Sequence, residues 1–399
     1  MTQAGVEDIT YDPFEDHREI PFDLLRDLRQ RCPVAKVPSG LFYLARYDDV
    51  VPAFREWKTF ASAGGMRLPG VVIPPEEQII SERDGAPHQR LRRLMKSAIS
   101  PDKVRAIAPW ITELAGQHID AAVAKGRSDL VEDLTGPVPD QVVIHLIGIP
   151  EPDRLQFKRW SFEVITSTWS TLNRTERGEG LVECFPDFTD YVFDQLRRRK
   201  QSANPPDDFL TRALNVDDNG YRLTDVEICI AAIHLLFAGN ETTTNLVGNL
   251  LYRLIELDLY QTVRADRALL PKAIDESLRF DSPVEMLTRQ CTRNVEVAGV
   301  DLKPGDRVML GVTSANRDET VFPDADQFRL DRPDGPAHLG FGKGAHVCLG
   351  EALARLEADI VFNAFFDRVE RIRLAPEFTY QKLPIFWANG PVRLDVIFD

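Results

Sequence analysis

The run Phe341-Gly342-Lys343-Gly344-Ala345-His346-Val347-Cys348-Leu349-Gly350 places one cysteine among three glycines. Glycine lets the backbone bend tightly and approach a flat ligand with no Cβ in the way. A helix-like stretch, Glu351 to Ala358, follows at once. A cysteine just ahead of a helix has its thiolate stabilised by unpaired backbone N–H groups and by the helix dipole.

Thiolate is one of the few axial ligands that proteins offer to haem iron. The run resembles the haem-binding loop of the cytochrome P450 family, whose pattern is Phe, two residues, Gly, one, His or Arg, one, Cys, one, Gly. Phe341, Gly344, His346, Cys348 and Gly350 fill every slot. The resemblance implies a mainly α fold with small β-sheets: a triangular helical prism with a long central helix over haem b and Cys348 as the iron ligand. Phe341 and Gly342 then belong to the haem loop.

The bulk composition is compatible with this. The chain has 399 residues, 43% of them hydrophobic, which is ample for a core, and no linker cuts it, so residues 1–399 read as a single domain. A net charge of −14 argues against nucleic acid or an anionic membrane as partner. The stretch Met1 to His17 is acidic and lacks an apolar core, and the longest apolar run, Ile228 to Gly239, is too short to span a bilayer. A cytoplasmic protein with no membrane segment is expected. Cys32, Cys184, Cys229, Cys291 and Cys348 are scattered and odd in number, which fits a reducing compartment and one special thiol.

Helical periodicity covers Phe22 to Arg31, Val50 to Trp57, a basic stretch from His88 to Ile99, and most of Val104 to Leu257. Gly40 to Arg46 alternates like a strand, Phe60 to Glu82 reads as irregular, and Arg371 to Phe398 alternates in short pieces. Val295 to Leu310 reads as a hairpin turning at Pro304-Gly305-Asp306. Thr224-Asp225-Val226-Glu227 is a capping box, and the helical pattern continues to about Leu257, a rod of roughly 50 Å at about 1.5 Å per residue.

The middle of that rod, Ala238-Gly239-Asn240-Glu241-Thr242-Thr243-Thr244, breaks its own apolar pattern. Gly weakens a helix interior, and hydroxyls there capture carbonyls. The segment matches the oxygen-binding groove of the same family. The resemblance implies that Ala238 and Gly239 border the haem, that Thr242 organises protons for splitting O₂, and that Glu241 links them to solvent.

Glu276-Ser277-Leu278-Arg279 sets an acid and an arginine on one helical face and resembles the family's buried Glu-x-x-Arg pair, with Arg332 as the third member and Arg329 as the alternative. His88, Arg92, Arg289 and His346 match positions that hold the haem propionates. By resemblance the substrate pocket is lined by residues 68–73, His234, Phe237, Val284, Met286, Leu287 and the turn around Phe386, with Glu285 a further polar candidate. No flavin or iron–sulfur motif is present, so a separate electron donor is implied, a ferredoxin with its NAD(P)H-dependent reductase. In this family it docks on a basic face, here Arg90, Arg93, Lys96 and Lys343.

The activity implied is a monooxygenase that inserts one atom of O₂ into a C–H bond of a small or medium hydrophobic molecule. A peroxide-driven peroxygenase and a non-catalytic haem sensor are the alternatives. The acid–Thr pair argues against the first, and a sensor needs no proton relay.

Overall fold

The computed structural model describes residues 9–15, 18–66, 73–167, 180–333 and 335–399. The chain forms two compact units, each discontinuous in sequence. One comprises residues up to 65, 108–138 and 241–399; the other comprises 66–107 and 139–240.

The first unit holds the sheets. A five-stranded sheet runs in the order Val34–Lys36, Phe42–Leu44, Arg307–Gly311, Met286–Cys291, Phe60–Ala61. Side chains alternate across a strand, so both faces of this sheet can be traced in the sequence. Leu44, Val308 and Leu310 join Phe54 and Leu339 in one apolar cluster, while Tyr43 and Met309 join Leu25, Leu28 and Met286 in another. Phe42–Leu44 and Arg307–Gly311 are parallel; the other pairings in this sheet are antiparallel. A second sheet joins Arg127–Asp129, Asp395–Phe398 and Ile372–Leu374, so a strand interrupts the helical stretch expected from Val104 to Leu257. The helices Ala108–Ala124, Glu241–Glu256, Leu270–Phe280 and Glu351–Arg368 complete this unit.

The second unit is helical, with Asp225–Gly239 packed against neighbours that include Arg154–Ser167, Pro186–Gln201 and Phe209–Asn215. The capping box forms as its residues dictate. Thr224 Oγ1 accepts from Glu227 N at 3.2 Å, and Glu227 Oε2 accepts from Thr224 N at 3.0 Å.

Two expectations need correction. The long central helix is divided at Asn240 (φ −84°, ψ −72°) into Asp225–Gly239 and Glu241–Glu256. Asn240 spends its side-chain amide on Asp140. The hairpin turns at Ala298-Gly299, not at Pro304-Gly305-Asp306. Both turn residues have positive φ (49° and 84°), and Val297 pairs with Val300. That is the two-residue geometry whose twist suits a hairpin, here with an alanine where Asn or Gly is usual. The Pro304 turn instead delivers Arg307–Gly311 to the large sheet, with Cys291 and Asp306 bonded through N–H to carbonyl at 2.7 Å.

Among the described residues no helix is long and apolar enough to cross a membrane.

Candidate haem-thiolate site

In the first unit the cysteine run folds back on itself. Cys348 N donates to Phe341 O at 2.9 Å and Gly342 N to Leu339 O at 2.8 Å, and the helix Glu351–Arg368 begins two residues after Leu349. Gly342 and Gly344 have φ of +70° and +72°, which side-chain-bearing residues rarely adopt. A Cβ on Gly344 would lie 2.7 Å from Phe54 O, so the loop lies directly on the Tyr47–Arg55 helix.

The five cysteines separate cleanly. Cys32, Cys184, Cys229 and Cys291 are buried; Cys348 is exposed. Burial pushes the Cys229 thiol up to about 12 and the Cys291 thiol up to about 11, because a thiolate there would be desolvated. An accessible thiol in a glycine cradle ahead of an 18-residue helix fits a haem iron ligand, and neither of those two buried thiols does.

Phe54 connects this loop to a buried cation. Arg289, on the strand Met286–Cys291, is only 3% exposed; its guanidinium carbon lies 5.7 Å from the Phe54 ring centroid, and Nη1 donates to Thr288 O at 2.7 Å. A guanidinium keeps its charge when buried, so it suits a carboxylate such as a haem propionate. His346 is half-buried in the turn Gly344–His346.

Sequence reasoning passed over the clamp on Phe341. Arg355 stands over the Phe341 ring at 5.0 Å while donating to Asp275 at 2.6 Å and Glu351 at 3.1 Å. His338 accepts from Gly340 N at Nδ1 and meets Asp275 through Nε2 at 3.3 Å. The i, i+4 spacing of Glu351 and Arg355 was the only signal for it in the sequence.

Glu276 lies at the centre of a filled network. Arg279 donates to both its oxygens (2.7 and 2.8 Å), Arg332 Nε lies 2.9 Å from each, and Arg329 N donates at 2.8 Å. Arg332 therefore brings its guanidinium to Glu276, whereas the side chain of Arg329 goes to Asp324 and Asp331. The two arginines also donate to the carbonyls of Pro323, Asp324, Ala325 and Gln327, so Glu276 pins the segment leading into the cysteine run.

Glu241 and Thr242 occupy the first turn of Glu241–Glu256, where the helix dipole favours a carboxylate. Since the rod is divided, four-residue stepping holds only within each piece. His234 and Ala238 share a face of the first, and Glu241, Asn245 and Asn249 share a face of the second.

Of the pocket candidates in this unit, Val284 bridges Ala388, and Glu285 N donates to Trp387 O at 2.8 Å, which ties the turn at Phe386 to the strand start. Phe386 lies 4.9 Å from the Phe14 ring. Met286 is buried in the core with Leu25 and Tyr43, and Leu287 packs on the opposite cluster, as strand alternation requires. Glu285 is spent on Lys382, 2.6 Å away, and both side chains are almost fully buried.

In the second unit His88 is buried and Arg92 half-buried, one turn apart on Gly85–Ala98. Arg90 covers the Tyr221 ring at 4.5 Å and Arg93 pairs with Asp218 at 2.6 Å, so part of the basic face is held in place rather than simply solvated. His234, Phe237 and Ala238 are half-buried. A Cβ on Gly239 would lie 2.9 Å from Val143 Cγ2, so this glycine also serves helix packing. Residues 68–72, expected to line the pocket, lie outside the described residues.

Comparison with known proteins agrees with the geometry. The family model for cytochrome P450 matches residues 17–370. A steroid C26-monooxygenase of Mycolicibacterium smegmatis is 31% identical over 374 residues, 94% of this chain and 91% of its own. The cyclomarin C epoxidase CymV of Salinispora arenicola is 34% identical over 359 residues, 88% and 89% of the two chains. A crystal structure of CYP109E1 from Bacillus megaterium, in complex with testosterone, superposes with a TM-score of 0.84 at 28% identity, over 96% of this chain and all of the other. An accessible cysteine in a glycine cradle, a filled Glu-Arg-Arg network and an acid–Thr helix start thus occur in a chain that matches one family almost end to end, and the protein belongs to the cytochrome P450 monooxygenases.

Proposed function

We propose that residues 1–399 act as one haem-thiolate monooxygenase domain that inserts one atom of O₂ into a C–H bond of a hydrophobic substrate and releases the other as water. The observation that carries this is the accessible Cys348 thiol in its glycine cradle. Cys348 Sγ would hold the iron of haem b, and Arg289 and His346, in the same unit, would neutralise its propionates. Bound haem supplies the activation of O₂; the remaining work falls to side chains. Glu241 holds a proton at its carboxylate, and the Thr242 hydroxyl orients it. Val284, Leu287 and Phe386 supply apolar surface that excludes water from the substrate.

The substrate class is a steroid-sized apolar molecule, a reading supported by the steroid C26-monooxygenase and the testosterone complex among the relatives. Electrons come from NAD(P)H through a reductase and a ferredoxin. Charge reversal at Arg93 or at Lys343 then slows reduction at low salt without changing substrate affinity, since rim charges act mainly on association.

The deciding experiment is the carbon monoxide difference spectrum of the reduced protein. The red-shifted thiolate band appears in the wild type and is lost in Cys348→Ser; a wild type without that band overturns the reading. Thr242→Ala keeps the band and diverts electrons to peroxide, and a variant that stays fully coupled removes Thr242 from the proton path.

A further inference from the structure

Lys382 and Glu285 form a buried pair beneath a turn. Lys382 is 8% exposed and Glu285 5%, although lysine is almost never buried unless it is paired. Lys382 Nζ lies 2.6 Å from Glu285 Oε1 and donates to Leu383 O and Ile385 O, both at 3.0 Å. One ammonium group thus joins the residue ahead of the strand Met286–Cys291 to two carbonyls of the turn 383–387.

The backbone fastens the ends of the same turn. Leu383 N donates to Gly390 O at 2.8 Å, Lys382 bridges Pro391, and Asn389 N donates to Pro283 O at 3.0 Å. Glu285 itself is held on both sides: its N–H donates to Trp387 O at 2.8 Å and its carbonyl accepts from Thr313 N at 3.1 Å. Inside the turn Pro384 has no N–H to offer, so the lysine takes up carbonyls there instead. Leu383, Ile385 and Phe386 give the turn three half-buried apolar side chains, and Phe386 rests against the Phe14 ring at 4.9 Å. The strand that follows Glu285 carries Leu287 and Arg289 on one face. The pair therefore fixes the turn relative to the strand that bears the buried arginine.

Stability alone does not call for ions at this place. Replacing a buried ion pair by apolar residues of similar volume is often neutral or stabilising. What the pair adds is direction, because hydrogen bonds to two carbonyls admit one arrangement of the turn where apolar packing tolerates several.

We propose that Lys382 and Glu285 are positioning residues for substrate selection: the buried pair pre-sets the turn 383–387, whose apolar side chains then hold a steroid-sized substrate in one orientation. The inference deepens the monooxygenase reading and rests on it. Both residues act through the turn.

The first arm of the test uses the wild-type holoenzyme and hydrogen–deuterium exchange. Without substrate, the amides of Leu383, Ile385 and Asn389 exchange as slowly as those of the strand Met286–Cys291, and adding testosterone protects them little further. A turn that exchanges freely and is ordered only by the steroid overturns the proposal. The second arm replaces the pair as a whole, Glu285→Met with Lys382→Met, so that no charge is stranded. The thiolate band persists. The Kd for testosterone, read from the spin-state shift, rises on the order of tenfold, as expected when binding must order a turn, and the main hydroxylated product gives way to a mixture. Glu285→Gln keeps an oxygen facing Nζ and retains the wild-type product ratio, a separation that a merely structural role would not produce. Wild-type Kd and product ratio in the folded double variant overturn the proposal. A wild type lacking the thiolate band overturns the monooxygenase reading instead, and one with the band but no testosterone shift overturns the steroid-sized reading; the exchange measured without substrate stands in either case.

Discussion

Two buried polar regions of the same unit behave in opposite ways. Around Glu276 both carboxylate oxygens are met, by Arg279, Arg332 and the Arg329 amide, and the two arginines go on to anchor five carbonyls. Around Asn245, and again at Glu357 on the cysteine helix, fully buried polar atoms have no partner among the described residues. A filled network fixes geometry, because moving any member strands the others. An unfilled one leaves room for water or a proton. The comparison separates residues that hold the cysteine run from buried polar groups that the described residues leave unpaired.

The largest effect that could break this comparison is at Glu276. Glu276→Ala strands the buried Arg279 guanidinium and the half-buried one of Arg332, and costs about 3–5 kcal/mol in denaturant unfolding, since removing one partner of a buried pair leaves an uncompensated charge. Arg329→Ala, whose guanidinium faces solvent, leaves the unfolding midpoint almost unmoved. Equal losses for the two variants would erase the distinction.

Glu285 gives an intermediate case. Burial pushes its carboxyl up to about 7 despite the opposing pull of Lys382. A carboxyl raised in the folded state contributes stability that is full below its unfolded value of 4.5 and lost as pH rises through about 7. Glu285→Gln therefore flattens the pH dependence of unfolding across that window, by on the order of 3 kcal/mol. An unaltered slope would show that the pair with Lys382 keeps the carboxylate charged throughout.

The smallest effect is at Glu357. Burial alone pushes this carboxyl well above its usual range, which favours its neutral form. Glu357→Gln puts a neutral amide of the same shape in place of the carboxyl and changes stability by under about 1 kcal/mol at pH 7. A large loss would reveal a cation or donor that the unfilled region is supposed to lack.

The features legible in the sequence were local ones. The cysteine run, the Thr224 capping box and the Glu-x-x-Arg face each depend on residues within a few positions of one another. The features that were not legible depend on tertiary choices. Asn240 breaks the rod by bonding to Asp140, a hundred residues earlier. Ala298 accepts a positive φ that its side chain disfavours, which hid the true hairpin turn. Lys382 reaches Glu285, and Phe54 sits beneath both Gly344 and Arg289, with no spacing rule that joins them. Met286 follows strand alternation into the core, which an apolar residue type alone does not announce.

The parallel pairing of Phe42–Leu44 with Arg307–Gly311 sets an order on how the molecule can be made. An early strand must wait for a late one, so during synthesis its backbone edge stays unmatched until most of the chain has emerged. Long-range parallel pairing closes slowly, and open strand edges recruit other chains. Fragments that stop before Gly311 would therefore clump rather than fold, and the growing polypeptide would need a chaperone's shelter until its central sheet can close.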